Sequence, residues 1–261
     1  MRRAAALVAL SLAALAGSAG AAQDPGPPQP PRTQFVPPAA GTYSLQRIQS
    51  SPDATLLDAS ARPRRLRDLT SGKITLLTFF YTHCSDPLGC PFALGLMSAL
   101  RDRIAAQPDL LARVRFVSIS FDPARDSPKQ LRAYARDAAS RAGFEWDFLT
   151  APSMAELQPV LEDLGQDVRV EFDASGRRVA AIDHMLKLFL IDPTATVREI
   201  YALDFLQPEV MLNDIRTLRL EERRPSRGIS DSGNYSQASS SAGWRITRSA
   251  PQAATSSAPP R

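Results

Sequence analysis

Cysteine is almost absent: the 261 residues contain two, Cys84 and Cys90. Two cysteines cannot form a disulfide framework, so they are either one bridge or one site. No C-x-x-C dithiol motif is present, nor the proline and threonine pattern expected before a peroxidatic cysteine, which leaves little room for a peroxidase. An excess of charge of one sign is also missing: 31 Lys and Arg stand against 27 Asp and Glu, a net charge of +4. No basic stripe runs along the central part, so nucleic acid is not an expected partner. There is no internal repeat. The longest apolar run, Ala4 to Ala16, is short and alanine-rich for a membrane span, which needs about 20 strongly apolar residues.

The two ends read differently from the middle. Arg2 and Arg3 precede the apolar run, and Ala19-Gly20-Ala21 supplies small residues of the cleavage type. Residues 1–22 are therefore expected to be a signal peptide, or an uncleaved anchor tethering the protein to a membrane. No cysteine follows the apolar run, which argues against lipoprotein processing. The expected location is exported and periplasmic, where a lone pair of cysteines can cycle between thiols and disulfide. Residues 23–42 are a proline-rich, semi-rigid spacer. Residues 221–261, rich in Ser, Ala, Pro and Arg, bury too little surface to fold alone and are expected to be a disordered tail. Between them, 43–220 is long enough for one well-buried domain.

That domain is organised around residues 73–91. Ile74 to Tyr81 is a continuous apolar run with the composition of a strand buried on both faces. A polar turn holding Cys84 and Cys90 follows, then Pro91 and an apolar-rich stretch of about four helical turns. Pro suits the start of a helix, which places Cys90 at or beside its N-cap. A helix N-terminus favours thiolate over thiol. Thr55 to Asp58 and Arg64 to Leu69 are expected as short strands or a hairpin. Arg113 to Phe121 and Phe144 to Leu149 are further strands. Ser127 caps a helix predicted to run to about Ala142, and Ser153 with Glu156 forms a capping box, the helix after it kinked or broken at Pro159. Asp173-Ala174-Ser175-Gly176 turns one hairpin, after which comes His184. Asp192-Pro193-Thr194-Ala195 turns a second, and Pro208 opens a last helix to about Leu220. Alternating strands and helices with late hairpins give an α/β fold: a thioredoxin-like mixed sheet flanked by helices, with a flexible spacer before it and a tail after it.

The reactive groups are two thiols and the imidazoles of His83 and His184. Thiolates with an imidazole suit copper and also bind zinc, although three ligands leave zinc one short of its usual four. A structural disulfide is the plain alternative for the cysteines, but a bridge across so short a turn adds little stability. His184 by itself reads as an ordinary loop histidine. His83 lies beside Cys84, where adjacent side chains of an extended turn point apart. Asp86 suits a turn better than a ligand role. Asp122, Arg125 and Asp126 form either a charged cluster near the site or a set of caps and ion pairs.

The order of these stretches resembles the SCO/SenC family of exported copper proteins that help assemble cytochrome c oxidase. The resemblance is carried by Phe79-Phe80-Tyr81-Thr82-His83-Cys84, by Cys90-Pro91, by residues 118–135, and by Asp183-His184 with the strand after it. It covers residues 43–220 and implies a thioredoxin-like fold in which Cys84, Cys90 and His184 bind one copper, Cu(I) or Cu(II). It also implies a metallochaperone rather than an enzyme, a monomer whose partner is a copper-accepting apoprotein, a cytochrome c oxidase subunit with its CuA centre. The family usually spaces its cysteines by three residues; here five stand between them, with Pro87 and Gly89 reshaping the turn. The rival expectation is a thiol–disulfide oxidoreductase that uses Cys84 and Cys90 as a redox pair on client cysteines.

Overall fold

The computed structural model describes residues 36–136 and 143–223. The expected signal peptide, most of the proline-rich spacer and nearly all of the expected tail lie outside the described residues. The elements are β1 (Gln49–Ser50), β2 (Thr55–Asp58), β3 (Pro63–Arg65), α1 (Leu66–Thr70), β4 (Ile74–Phe80), α2 (Cys90–Ala105), α3 (Pro108–Leu111) and β5 (Val114–Ser120). They continue with α4 (Pro128–Tyr134), β6 (Glu145–Thr150), α5 (Met154–Asp163), β7 (Val168–Phe172), β8 (Arg178–His184), β9 (Lys187–Ile191), β10 (Thr196–Ala202) and α6 (Pro208–Arg223). A 3₁₀ turn, Leu203–Phe205, precedes α6.

Eight strands form one mixed sheet in the order β1-β10-β9-β4-β5-β6-β2-β3. β4, β5 and β6 run parallel, and β9 and β2 join them antiparallel on either side. The remaining two, β7 and β8, pair only with each other. All seven residues of β4 and all seven of β5 are buried, as a strand covered on both faces requires. Phe79 and Phe80 point to opposite faces. Phe80 stacks on Tyr134 of α4 at 5.2 Å, and Phe79 meets Phe189 of β9 edge-on at 6.2 Å. Burying one such side chain contributes about 1.5–3 kcal/mol, so this pair of strands anchors everything attached to its ends.

The polar residues of β5 are buried with partners. Arg115 donates to the Asp68 carbonyl, Trp146 donates to Ser118 Oγ, and Ser120 donates to Asp126. The mixed sheet, its flanking helices and both late hairpins agree with expectation. Several boundaries do not. Leu66 to Leu69 is helical rather than extended, because Leu66, Leu69 and Thr70 share one buried face at helical spacing. The helix capped by Ser127 ends at Tyr134, well short of Ala142; residues 137–142 lie outside the described residues. α5 is assigned unbroken through Pro159, its buried Leu157, Val160 and Leu161 holding one face.

The described structure extends before Tyr43 and beyond Leu220. Gly41 N–H donates to Thr217 Oγ1 and Asn213 donates to the Pro38 carbonyl, which lays residues 38–41 along α6. Gly41 has φ +79°, and a side chain there would meet Leu220. The last turn of α6 is held by ion pairs from Arg113 to Glu222 and from Arg198 to Glu221. Among the described residues no helix is long and apolar enough to cross a membrane.

Candidate metal centre

β4 ends at Phe80, and the chain leaves it through Tyr81 into the turn that carries both cysteines. A buried carboxylate fixes the start of that turn. Asp126 is fully buried and accepts from Thr82 N–H at 2.9 Å, Thr82 Oγ1 at 2.5 Å and Ser120 Oγ at 2.6 Å. It therefore clamps the beginning of the turn to the end of β5. Within the turn Cys84 N–H donates to the Tyr81 carbonyl, Leu88 N–H to Asp86 Oδ1, and Gly89 N–H to the Asp86 carbonyl. Asp86 is thus committed to shaping the turn.

Cys90 is the first residue of α2, with Gly89 as its N-cap and Pro91 next; it is fully buried, whereas Cys84 is half-buried. Both are free thiols. Gly89 makes room for the pair: a Cβ there would sit 3.1 Å from Cys84 Sγ and 3.3 Å from Asp86. The cysteines are electrostatically unequal. Hydrogen bonding from the Cys90 side chain pulls the Cys84 pKa down to about 5, against the opposing effect of burial. The N–H groups of Cys90 and Asp86 and the Tyr81 hydroxyl act in the same direction. Cys90 is pushed far up, first by that same bond to Cys84 and then by burial. Cys84 is the thiolate and Cys90 the thiol that supports it. Burial raises Tyr81 to about 12, so its phenol stays protonated and can donate.

His184 ends β8, paired with Val168 across the hairpin, rather than following the hairpin in a loop. Its Nδ1 lies 2.9 Å from the Ile182 carbonyl, which can only accept, so Nδ1 carries the proton. Nε2 then presents a lone pair, and that atom is buried with no hydrogen-bond partner. The ring packs against Tyr81 edge-on at 5.8 Å and against Phe121 at 4.7 Å. Tyr81 in turn packs on Phe121 at 5.2 Å. One residue, Tyr81, thus touches both the cysteine turn and the histidine strand.

Cys84 and Cys90 converge, and His184 approaches them through Tyr81. The three are not drawn into a finished ligand sphere: among the described residues, no three His, Cys, Asp or Glu side chains stand close enough to hold a metal ion. His83 turns the other way. It is half exposed, with Nδ1 3.0 Å from Thr82 Oγ1 and 3.8 Å from Asp126. Asp122 is buried at the end of β5, 4.0 Å from Arg125, and its carbonyl accepts from the N–H groups of Arg125 and Asp126. These residues support the turn. The donor chemistry nonetheless fits a soft metal: a thiolate, a thiol that deprotonates on binding, and an imidazole nitrogen already in its ligating tautomer.

The roles of Tyr81, Gly89 and Asp126 escape a sequence argument based on ligand types. Asp126 is 44 residues from Thr82 and Tyr81 is 101 from Ile182, so only the folded sheet brings them together.

The chain is similar to several known proteins. A family model described as SCO1/SenC matches residues 46–219. A Bacillus subtilis protein named SCO1 protein homolog is 35% identical over 88 residues, which span 33% of this chain and 42% of that protein. A Stutzerimonas stutzeri protein named "Putative copper-binding protein" is 30% identical over 159 residues, 61% of this chain and 72% of that one. The crystal structure of Arabidopsis thaliana ScoI with copper bound superposes with a TM-score of 0.54 at 21% identity, covering 66% of this chain and 98% of that one. At that identity the likeness is one of fold.

Proposed function

The chain belongs to the SCO1/SenC family, and from that premise we propose that it is an exported metallochaperone that binds one copper ion and passes it to an apoprotein. The observation that carries this reading is the buried, unpartnered Nε2 of His184, whose Nδ1 is held by the Ile182 carbonyl. A buried polar atom without a partner costs about 1–3 kcal/mol, and a metal ion relieves that cost. Cys84, Cys90 and His184 are the ligands in this proposal, and a copper-accepting subunit of cytochrome c oxidase, with its CuA centre, is the client that family resemblance suggests.

Copper is cargo here, so the site must load and unload. Cys84 offers the first bond, because it is already a thiolate and is the more accessible cysteine. Cys90 then loses its proton as its sulfur joins, so loading releases a proton. His184 completes the set when its strand end closes on the turn. Unloading runs by ligand exchange, incoming thiolates of the client replacing these donors one at a time. Copper binding by the purified, reduced chain tests this. One copper per chain, lost in Cys84→Ser and weakened in His184→Ala, supports the assignment. Unchanged stoichiometry and affinity in His184→Ala removes the histidine from the ligand set.

The inequality of the two cysteines also favours a second reading, thiol–disulfide exchange. The Cys84 thiolate would attack a client disulfide, giving a mixed disulfide and releasing one client thiolate. Cys90 would then lose its proton and attack Cys84 Sγ, releasing the second client thiolate and leaving a Cys84–Cys90 disulfide. In Cys90→Ser the mixed disulfide should accumulate; its absence from cells carrying that variant counts against this reading.

A further inference from the structure

We infer that Tyr81 is a positioning residue whose hydroxyl ties the strand carrying His184 to the turn carrying Cys84, and so sets how the imidazole reaches the thiolates. The inference rests on the copper reading above. It starts from the isolation of the β7–β8 hairpin, which forms no ladder with the eight-stranded sheet. Something other than a strand ladder must therefore fix His184 relative to the cysteines, which hang from β4 and α2.

Ile182 and Tyr81 supply that link. Ile182 N–H donates to the Tyr81 hydroxyl at 3.4 Å, and the Ile182 carbonyl accepts from His184 Nδ1 at 2.9 Å. One residue of β8 is thus held from both sides, by Tyr81 at its N–H and by the imidazole at its carbonyl. The Tyr81 carbonyl accepts from Cys84 N–H at 3.3 Å, at the start of the cysteine turn. The result is a continuous path: His184 to Ile182, Ile182 to Tyr81, Tyr81 to Cys84. The Tyr81 ring is buried, and with Phe121 it forms the shelf on which the imidazole rests. A phenylalanine would keep the shelf but not the path, so the hydroxyl can be tested separately from the packing.

Tyr81→Phe in the full chain is the test, measured with Cu(I) in competition with a chromophoric chelator, alone and combined with His184→Ala. Loss of a group that orients a metal ligand typically weakens binding by about 10–100-fold. The expected result is a loss of that order for Tyr81→Phe in the otherwise native chain and a much smaller one when His184 is already alanine, because the hydroxyl acts through the histidine. Equal losses in both backgrounds, or no loss in either, would overturn the inference. A second readout needs no copper. Amide exchange at Ile182 should be slow in the native chain and faster in Tyr81→Phe, and the His184 ring nitrogens should show a mixture of tautomers in place of one. An unchanged Ile182 amide and an unchanged tautomer would also refute it. If the native chain binds no copper, the metallochaperone reading fails, and the amide and tautomer measurements still decide whether Tyr81 holds the histidine strand.

Discussion

The eight-stranded sheet and the two-stranded hairpin solve opposite problems. β4 and β5 are buried along their whole length and pair on both edges, so nothing in them can shift without opening the core. β7 and β8 pair only with each other, and an isolated two-stranded hairpin is marginal in water. The cysteines are attached to the rigid part and the histidine to the soft part. On the proposed ligand set, two donors are attached to the fully laddered sheet and the third to the hairpin that Tyr81 ties to it.

The sharpest way to break this comparison is through stability. Leu77→Ala removes a fully buried side chain from the middle of β4 and should cost about 2–5 kcal/mol. Val170→Ala, on the half-buried hairpin, should cost well under half as much in the same denaturant titration. Equal costs would mean that the hairpin belongs to the cooperative core. Amide exchange extends the test, since β4 and β5 amides should open only with global unfolding and most β7 and β8 amides by local opening.

The second test concerns the cysteines. An ordinary thiol of pKa 9.0, the starting value for Cys84, would be only about 1% thiolate at pH 7. With its pKa pulled down to about 5, Cys84 is almost wholly thiolate there. Its alkylation by iodoacetamide in the reduced chain should therefore titrate with a midpoint near 5. Above that pH the thiolate is present; as pH falls through it, the proton returns and reactivity and copper binding fall together. Cys90→Ala removes the first cause of the shift and should move the midpoint upward. A midpoint near 9 in the native chain would refute the inequality of the two sulfurs.

Much of the rigid part is legible in the sequence, and much less of the soft part. The unbroken apolar runs at 74–81 and 113–121 mark the buried strands because two covered faces demand apolar residues at successive positions. The caps Ser127 and Ser153 and the turns at Asp173 and Asp192 are local in sequence, and each forms its expected hydrogen bonds. Cys84 and Cys90 are conspicuous because the chain has no other cysteine. His184 gains weight from the family resemblance rather than from its neighbours. What stays hidden is long-range: the separation of β7–β8 from the main sheet, the docking of residues 38–41 on α6, and the carboxylate clamp of Asp126. Pattern alone does not say which strand pairs with which, nor that the tyrosine following β4 will meet Ile182.

Asp126 offers a test one step smaller. Asp126→Asn keeps the shape but replaces one acceptor oxygen by an amide nitrogen, so at least one of the donors from Thr82 and Ser120 loses its partner. The expected cost is about 1–3 kcal/mol, with faster amide exchange at Thr82 and little change in the hairpin amides. A variant as stable as the native chain would show that the clamp does not hold the cysteine turn.

The smallest effect is expected at the hairpin tip. Arg177 pairs with Asp173 at 3.1 Å, but its side chain is 83% exposed. An ion pair in water gains little, because solvent screens it and the long side chain loses freedom in making it. Arg177→Ala should change stability by no more than about 0.5 kcal/mol. The turn itself should persist, because Asp173 Oδ1 still accepts from the backbone N–H groups of Ser175 and residue 177. The useful contrast is with Asp173→Ala, which removes those acceptors and should fray the hairpin from its tip. His184 sits at the opposite end of β8, next to Tyr81. If fraying at the tip weakens copper binding as much as Tyr81→Phe does, the hairpin moves as one stiff unit and the softness lies where it meets the sheet. If copper binding is unaffected, the soft element is confined to the tip and Ile182 is held by Tyr81 independently of the turn.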